Sequence, residues 1–434
     1  MAAHKVTSED RWAPRFFAIF GGQVVSLLGS GLVQFALVWW LTSTTGSATV
    51  LAGATIFAIL PQVIVGPFAG ALVDRWNRRR VMIVADAAIA LVTAGLVVLY
   101  ATGSIQVWHV YAAMLLRSSL GAFHFPAMLA STSLMVPDEH LARINGLNQG
   151  LRGLLSIAAP PLGALLLGVM PLHLVLAIDI VTATIAIVPL LVFDIPQPAR
   201  VAVAAHAHPV RVMLHDLREG LRYVRGWSGL LALMIVAMAL NFFLTPSGTL
   251  MPLLVTQHFR GGALQLGWLE SAMGVGIVAG GLLLGAWGGF KRRILTSLMG
   301  VTGLGLGVVL VGLAPSDLFG MALAGMFFTG LMSPLANGPL MAIMQSTVEP
   351  GMQGRVMSLL DSGAAAMMPL SLLLAGPVAD AVGVRPWYIV GGLVCIGIAI
   401  ASLGIRPLMR IECNGHDRAT PEPGVLAADP CAGE

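Results

Sequence analysis

The sequence predicts an all-α polytopic membrane protein: twelve transmembrane helices in two six-helix repeats. Three observations carry this expectation. Only 10% of the 434 residues are charged and 57% are hydrophobic, where a soluble domain carries roughly a quarter charged residues. The apolar residues fall in repeated runs long enough to cross a bilayer, and mean hydropathy reaches +0.87. Loop motifs in the first half recur in the second. The net charge of +4 and pI near 9.3 would point to an anionic partner in a soluble protein. Here the basic residues sit in short loops between apolar runs, as the positive-inside rule demands, so nucleic-acid binding is excluded. Of three cysteines, Cys395 lies in the last apolar run, and Cys413 and Cys431 lie in the polar tail without CxxC spacing. No disulfide framework, metal site, redox chemistry or cofactor follows.

The helical spans are expected near 14–42, 48–74, 81–102, 106–136, 141–169, 172–193, 229–257, 264–290, 294–314, 317–347, 353–380 and 384–407. The first run exceeds a signal-peptide h-region and is flanked by Glu9 and Asp10, so it is expected to stay as a transmembrane helix. Of the 24 Lys and Arg residues, 20 fall on the side of the termini. Two (Arg260, Arg385) fall on the other side, and two (Arg117, Arg152) fall within spans. Both termini are therefore expected in the cytoplasm of a bacterial cell bounded by this inner or plasma membrane.

The domains expected are 1–193 and 229–407, each a six-helix half, joined by a cytoplasmic linker at 194–228 and followed by a tail at 408–434. The linker opens with Asp194-Ile195-Pro196-Gln197-Pro198. Further on, Val210, Met213, Leu214, Leu217, Leu221 and Val224 recur at helical spacing among arginines, the pattern of a helix lying in the membrane interface. His206, His208 and His215 share this segment, but no acidic or thiol ligand completes a metal set. The repeat shows in Val136 to Arg143 against Val348 to Arg355, and in Arg78-Arg79-Arg80 against Lys291-Arg292-Arg293. Repeated halves are the arrangement in which a transporter places its substrate site near the midplane.

The loop after span two reads Gly70-Ala71-Leu72-Val73-Asp74-Arg75-Trp76-Asn77-Arg78-Arg79-Arg80. It resembles the loop signature of the major facilitator superfamily, with Asn77 where glycine is usual, a residue that tolerates a left-handed turn. Gly70, Asp74, Arg75, Arg78 and Arg79 then form the expected conformational switch: a carboxylate among arginines docks on a helix N-terminus in one state and releases in another. The alternative is that the arginines only anchor topology. Span four carries Arg117-Ser118-Ser119-Leu120-Gly121 and His124, similar to the family's buried arginine motif. Positions 117, 121 and 124 share a face, and an arginine this deep should meet a wet cavity or an acid. Span five matches the exporters' kinked-helix motif in part, with Gly146, Pro160 and Gly163 but Ala159 and Ala164 in place of two glycines.

A wider resemblance, to the macrolide-efflux and drug:proton antiporter branch, rests on Asp216 to Val224, Leu266-Gly267-Trp268-Leu269-Glu270, Gly288 to Arg293, and Gly354-Arg355-Val356-Met357-Ser358 with Pro369 and Gly376-Pro377. It implies proton-coupled export of amphipathic small molecules, with no oligomer required. The glycine strings Gly274-Val275-Gly276 and Gly303 to Gly307 lie inside apolar spans, where small residues permit close packing. No glycine loop ends in Gly-Lys-Ser/Thr, so ATP is not the expected energy source.

Span one bears a polar stripe of Gln23, Ser26, Ser30 and Gln34. Span seven bears Asn241, Thr245 and Thr249, interrupted by Pro246 and Pro252, and span ten bears Asn337, Met341 and Gln345. These faces are expected to line the substrate pathway, or alternatively to tie helices together. Twenty-two methionines favour an adaptable apolar cavity. Four acids fall within spans. Asp86 is expected to pair with the arginines at 78–80, and Asp179 is open to the same reading. Glu270 and Asp361, with Arg117, Arg152 and His124, are the coupling candidates. Arg152 and Glu270 come to similar membrane depths, roughly 16 Å and 21 Å from the cytoplasmic side, and an ion pair between them is expected in one state. Alternatively, Arg152 meets substrate alone. The competing functions are transport of one endogenous metabolite, such as a siderophore, in either direction, and a receptor or enzyme. No nucleophile-base or metal set supports an enzyme.

Overall fold

The computed structural model describes residues 12–73, 75–197 and 218–412, without the side chains of Pro67, Ala71 and Arg152. The long helices of the first half are α1 (Trp12–Thr45), α2 (Ala48–Val73), α3 (Arg78–Ala101), α4 (Val107–Met135), α5 (Asp138–Val169) and α6 (Leu172–Val192). Those of the second are α7 (Ser228–Thr249), α8 (Ala263–Trp287), α9 (Arg293–Leu313), α10 (Phe319–Thr347), α11 (Pro350–Val382) and α12 (Arg385–Leu403). Eleven of them are long and apolar enough to cross a membrane. The twelfth, α4, is 29 residues long but carries His109, Arg117 and His124.

One predicted boundary is corrected. The span expected over 229–257 stops as an α-helix at Thr249 and continues through a short turn, Met251–Leu253, into a π-helical turn, Leu254–His258. Pro252 has no N–H to give the carbonyl one turn back, so the α-ladder loses a bond where the helix changes pitch.

By Cα proximity the described residues form two compact units. The first takes 12–73, 75–197, 255–257 and 261–271; the second takes 218–254, 258–260 and 272–412. In the first unit α1 packs on α6 and α5, α2 packs on α4, and α3 packs on α4 and α6. Gly22 and Gly29, one heptad apart, let α1 approach α6: a Cβ at Gly22 would lie 3.1 Å from Ala186 Cα, and one at Gly29 would collide with Thr182 Oγ1. In the second unit α9 packs between α10 and α12. Gly300, Gly303 and Gly307 face α10, while Gly305 and Gly312 face α12. The glycines of this string are thus packing surfaces on two sides of one helix.

The repeat is visible in how each unit holds the turn before its third helix. In the first unit the Arg78 N–H at the start of α3 donates to Gln197 Oε1 (3.2 Å), from the segment just after α6. In the second the Ile294 N–H at the start of α9 donates to Glu412 Oε1 (2.7 Å), from the segment after α12. Arg78 Nη1 also reaches Ala130 O on α4 at 3.5 Å, and Arg293 Nη1 reaches Ala342 O on α10 at 3.3 Å. Side chains from corresponding places therefore satisfy the open N–H groups of the third helix in each half. Asn77 does not adopt the left-handed turn expected of it. Its φ of −71° and ψ of 108° are extended, and its side chain caps α3 by accepting from the Arg80 N–H.

Candidate functional site

The first unit encloses a cavity of about 640 Å³ lined by α1, α2, α3 and α4. The stripe on α1 supplies Gln23, Ser26, Ser30 and Gln34, and α4 supplies Arg117, Ser118, Gly121 and His124. The 3.6-residue period predicts both faces, and both do look into this space. Around its wall lie two buried carboxylates. Asp179 on α6 forms an ion pair with Arg117 (2.5 Å) and accepts hydrogen bonds from Thr93 (2.8 Å) and Ser30 (3.1 Å). Its side chain is only 1% exposed. Arg117 also donates to Thr93 Oγ1. The deep arginine therefore meets both an acid and a cavity, which offsets the cost of its charge in an apolar span.

Asp86 is a correction. It does not pair with the arginines at 78–80 but accepts from Gln23 Nε2 (3.0 Å) and lies 3.2 Å from His124 Nε2. The physical reason is reach and orientation. Arg78 lies eight residues away, roughly 12 Å along the helix. Arg79 points to the C-terminal end of α6, where it donates to Leu190 O, Leu191 O and Asp194 Oδ1. A cation there complements the negative end of that helix. Gly70 is partly buried, Arg75 is exposed, and Asp74 lies outside the described residues.

A smaller pocket of about 380 Å³, also in the first unit, is lined by α1, α5 and Glu270. Gly267, one turn before Glu270, makes close approach possible: a Cβ there would lie 3.1 Å from Pro161 Cα. Gln34 borders both cavities. The side chain of Arg152 is outside those described, and so is the expected pair with Glu270. Asp361 is exposed on α11.

In the second unit Asn241 and Asn337 are exposed, and each donates to its own helix, at Ala237 O and Ser333 O. Thr245 does the same at Asn241 O. Met341 and Gln345 are exposed on α10. The linker helix is described from 218 onward, with Val224 buried and Glu219 paired with Arg355 (2.6 Å). The rest of the expected interface helix and His206, His208 and His215 lie outside the described residues.

A bundle of membrane-length helices in two units with like internal caps, enclosing a polar-lined cavity of small-molecule size, defines a solute transporter of the repeated-half type. The chain belongs to the Major Facilitator Superfamily, whose model matches residues 19–360 and 231–412. It is 33% identical over 403 residues to macrolide efflux protein A of Streptococcus pyogenes, covering 93% of this chain and 98% of that one. It is 27% identical over 396 residues to the multidrug efflux pump Tap of Mycolicibacterium fortuitum, covering 88% and 94%. The crystal structure of nucleoside transporter NupG shares the fold with a TM-score of 0.68 at 12% identity, covering 90% of this chain and 98% of that one.

Proposed function

We propose that this chain exports amphipathic small molecules, macrolides among them, across a bacterial cytoplasmic membrane in exchange for protons. The observation that carries this reading is the 33% identity to a macrolide efflux protein across nearly the whole of both chains. The cavity fits it. Its volume of about 640 Å³ suits a drug-sized ligand, and its wall mixes Leu27, Ile89, Met114 and Phe125 with a few charged and amide groups.

The roles follow from chemistry. Gln23, Ser30 and Gln34 orient the ligand, and Arg117 is held by Asp179. His124, Glu270 and Asp361 are the ionisable groups available to carry a proton. Asp74, Arg75, Arg78 and Arg79 govern exchange between states at the cytoplasmic face. The six-helix halves 1–193 and 229–407 move about the linker, with both termini cytoplasmic. A susceptibility panel on an efflux-deficient bacterial host tests the export reading. Expression should raise the inhibitory concentration of macrolides several-fold, and a protonophore should restore intracellular drug to the level of empty cells. An unchanged panel across macrolides and other amphipathic drugs would contradict it.

A further inference from the structure

The second unit has a recess at a place that the first unit fills. In the first unit the residue after the capped Arg78 N–H is Arg79, whose guanidinium crosses to the end of α6 and donates to Leu190 O, Leu191 O and Asp194 Oδ1. In the second unit the residue after the capped Ile294 N–H is Leu295, and beside it lies a groove of about 310 Å³ between α9 and α12. Leu295, Leu298, Met299 and Thr302 form one wall, and Ile400 and Leu403 stand on the other. The hydroxyl in that wall, Thr302 Oγ1, donates to Leu298 O of its own helix (2.8 Å). The groove therefore offers contact area to an apolar chain and no side-chain partner to a polar one. Ile400 and Leu403 are more than half exposed, and apolar side chains exposed on a membrane-length helix face hydrocarbon. From Leu295 to Thr302 the groove runs roughly 10 Å along α9, about two-thirds of one leaflet's share of a hydrocarbon core about 30 Å thick.

One end of the groove is built as a membrane interface. Gly288 and Gly289 take left-handed φ values of 79° and 82°, which glycine adopts without steric cost. The turn they make is pinned to α9, because the Phe290 N–H donates to Thr296 Oγ1 (2.8 Å). This sets the Phe290 ring at the groove and edge-on to Trp287, with 4.9 Å between centroids. Both rings are nearly half exposed, as in the aromatic belt at headgroup level. Lys291 and Arg292 follow directly and are exposed. Arg293 turns the other way, to Ala342 O and Ser346 Oγ on α10. The chain after α12 adds Arg406 and Arg410, both exposed. Glu412 is the only acid in 286–300 and 400–412, and its carboxylate accepts from the Ile294 N–H. A cationic mouth thus stands over an apolar groove.

We propose that this groove is a site for one anionic phospholipid, with an acyl chain along α9 and α12 and the headgroup phosphate on Lys291 and Arg292. Charge complementarity selects the occupant. A zwitterionic lipid of the same chains fills the groove but gains little from the two cations, and a soluble anion meets the cations but leaves the groove empty. Each cation at the headgroup is worth about fivefold in affinity, and the pair roughly 25-fold. The site is independent of the solute carried, so it stands or falls apart from the export reading.

The test is photo-crosslinking to the purified full chain in detergent, with a phosphatidylglycerol that carries a diazirine in one acyl chain. Peptide mass spectrometry should place adducts on 295–302 and 399–403. Unlabelled phosphatidylglycerol should displace the probe there at a roughly 25-fold lower concentration than phosphatidylcholine of the same chains. Lys291→Gln should cut that preference to about fivefold, and adding Arg292→Gln should remove it. Thr302→Phe, which fills the groove and leaves its mouth intact, should remove the adducts on these two segments while adducts elsewhere remain. Four results would overturn the proposal. They are parent adducts that avoid the groove, equal displacement by the two lipids, a preference that survives the double charge variant, and groove adducts that survive Thr302→Phe. A groove without adducts in a parent chain that elutes as a dimer would assign it to a second copy instead.

Discussion

Breaking the Arg117–Asp179 pair should destabilise the first unit, and removing both partners should not. The carboxylate is 1% exposed and the guanidinium side chain 12%, at 2.5 Å separation. Arg117→Leu strips Asp179 of its cation and leaves it only the Thr93 and Ser30 hydroxyls. Removal of one partner of a buried pair costs about 3–5 kcal/mol because the other charge stays buried. Asp179→Leu should cost less, about 2–3 kcal/mol, because Arg117 borders the cavity, where water can reach it, whereas Asp179 does not. The double variant replaces an ion pair by two apolar side chains packed against α1, α3, α4 and α6, and should return to within about 1 kcal/mol of the parent. The coupling energy of the cycle is then roughly 4 kcal/mol or more, well above the additive expectation for independent sites. Denaturant titration of the detergent-solubilised protein, followed by tryptophan fluorescence, reads all four corners. Singles that each cost under about 1 kcal/mol and add in the double would refute the claim that this pair is a buried framework charge.

Other outcomes follow from particular residues. Gly280→Leu should prevent close approach of α8 to α10, because a Cβ at Gly280 already collides with Leu331 O; the expected loss is about 2 kcal/mol or more in the same titration, and parental stability would count against the packing account. A single cysteine at position 205, in a cysteine-free background, should resist a membrane-impermeant maleimide in intact cells and react in everted vesicles. Labelling in intact cells would reverse the proposed topology. Asp74→Asn should slow drug efflux while changing equilibrium drug affinity by no more than a few-fold, since a switch group alters exchange between states rather than the bound contacts. A large affinity loss with unchanged turnover would place Asp74 in the ligand site.

The fold was legible because its signals are long and redundant. Span positions follow from apolar length, and the repeat from loop motifs in register. The inward faces of α1 and α4 follow from helical period alone, so Gln23, Ser30 and Gln34 on one helix and Arg117 and His124 on the other could each be given an inward face; that the two faces border one cavity is visible only in the structure. What could not be read was partner choice across helices. Asp86 lies nearest in sequence to Arg78–Arg80, yet its neighbours come from α1 and α4, 63 and 38 positions away in sequence. A one-dimensional pattern gives the face of α3 but not which helix lies against it. The same holds for Asp179, whose three partners come from α1, α3 and α4. Pro252 was read as a gating feature within a continuous span, whereas the chain there leaves the α-ladder for a π-turn. Spacing also offered no sign that Gln197 and Glu412 cap distant helices.

Proton-driven export is tested most directly in everted membrane vesicles whose lumen is acidified by respiration. Weak bases accumulate passively in such a lumen, so the reference is vesicles bearing the Asp74→Asn chain. Vesicles with the parent chain should take up a radiolabelled macrolide several-fold faster than that reference. Adding unlabelled macrolide should release protons from the lumen, read as recovery of a quenched acridine dye, and a protonophore should abolish the difference. Uptake that persists undiminished after the pH gradient and the potential are collapsed, or uptake that requires sodium alone, would contradict proton exchange.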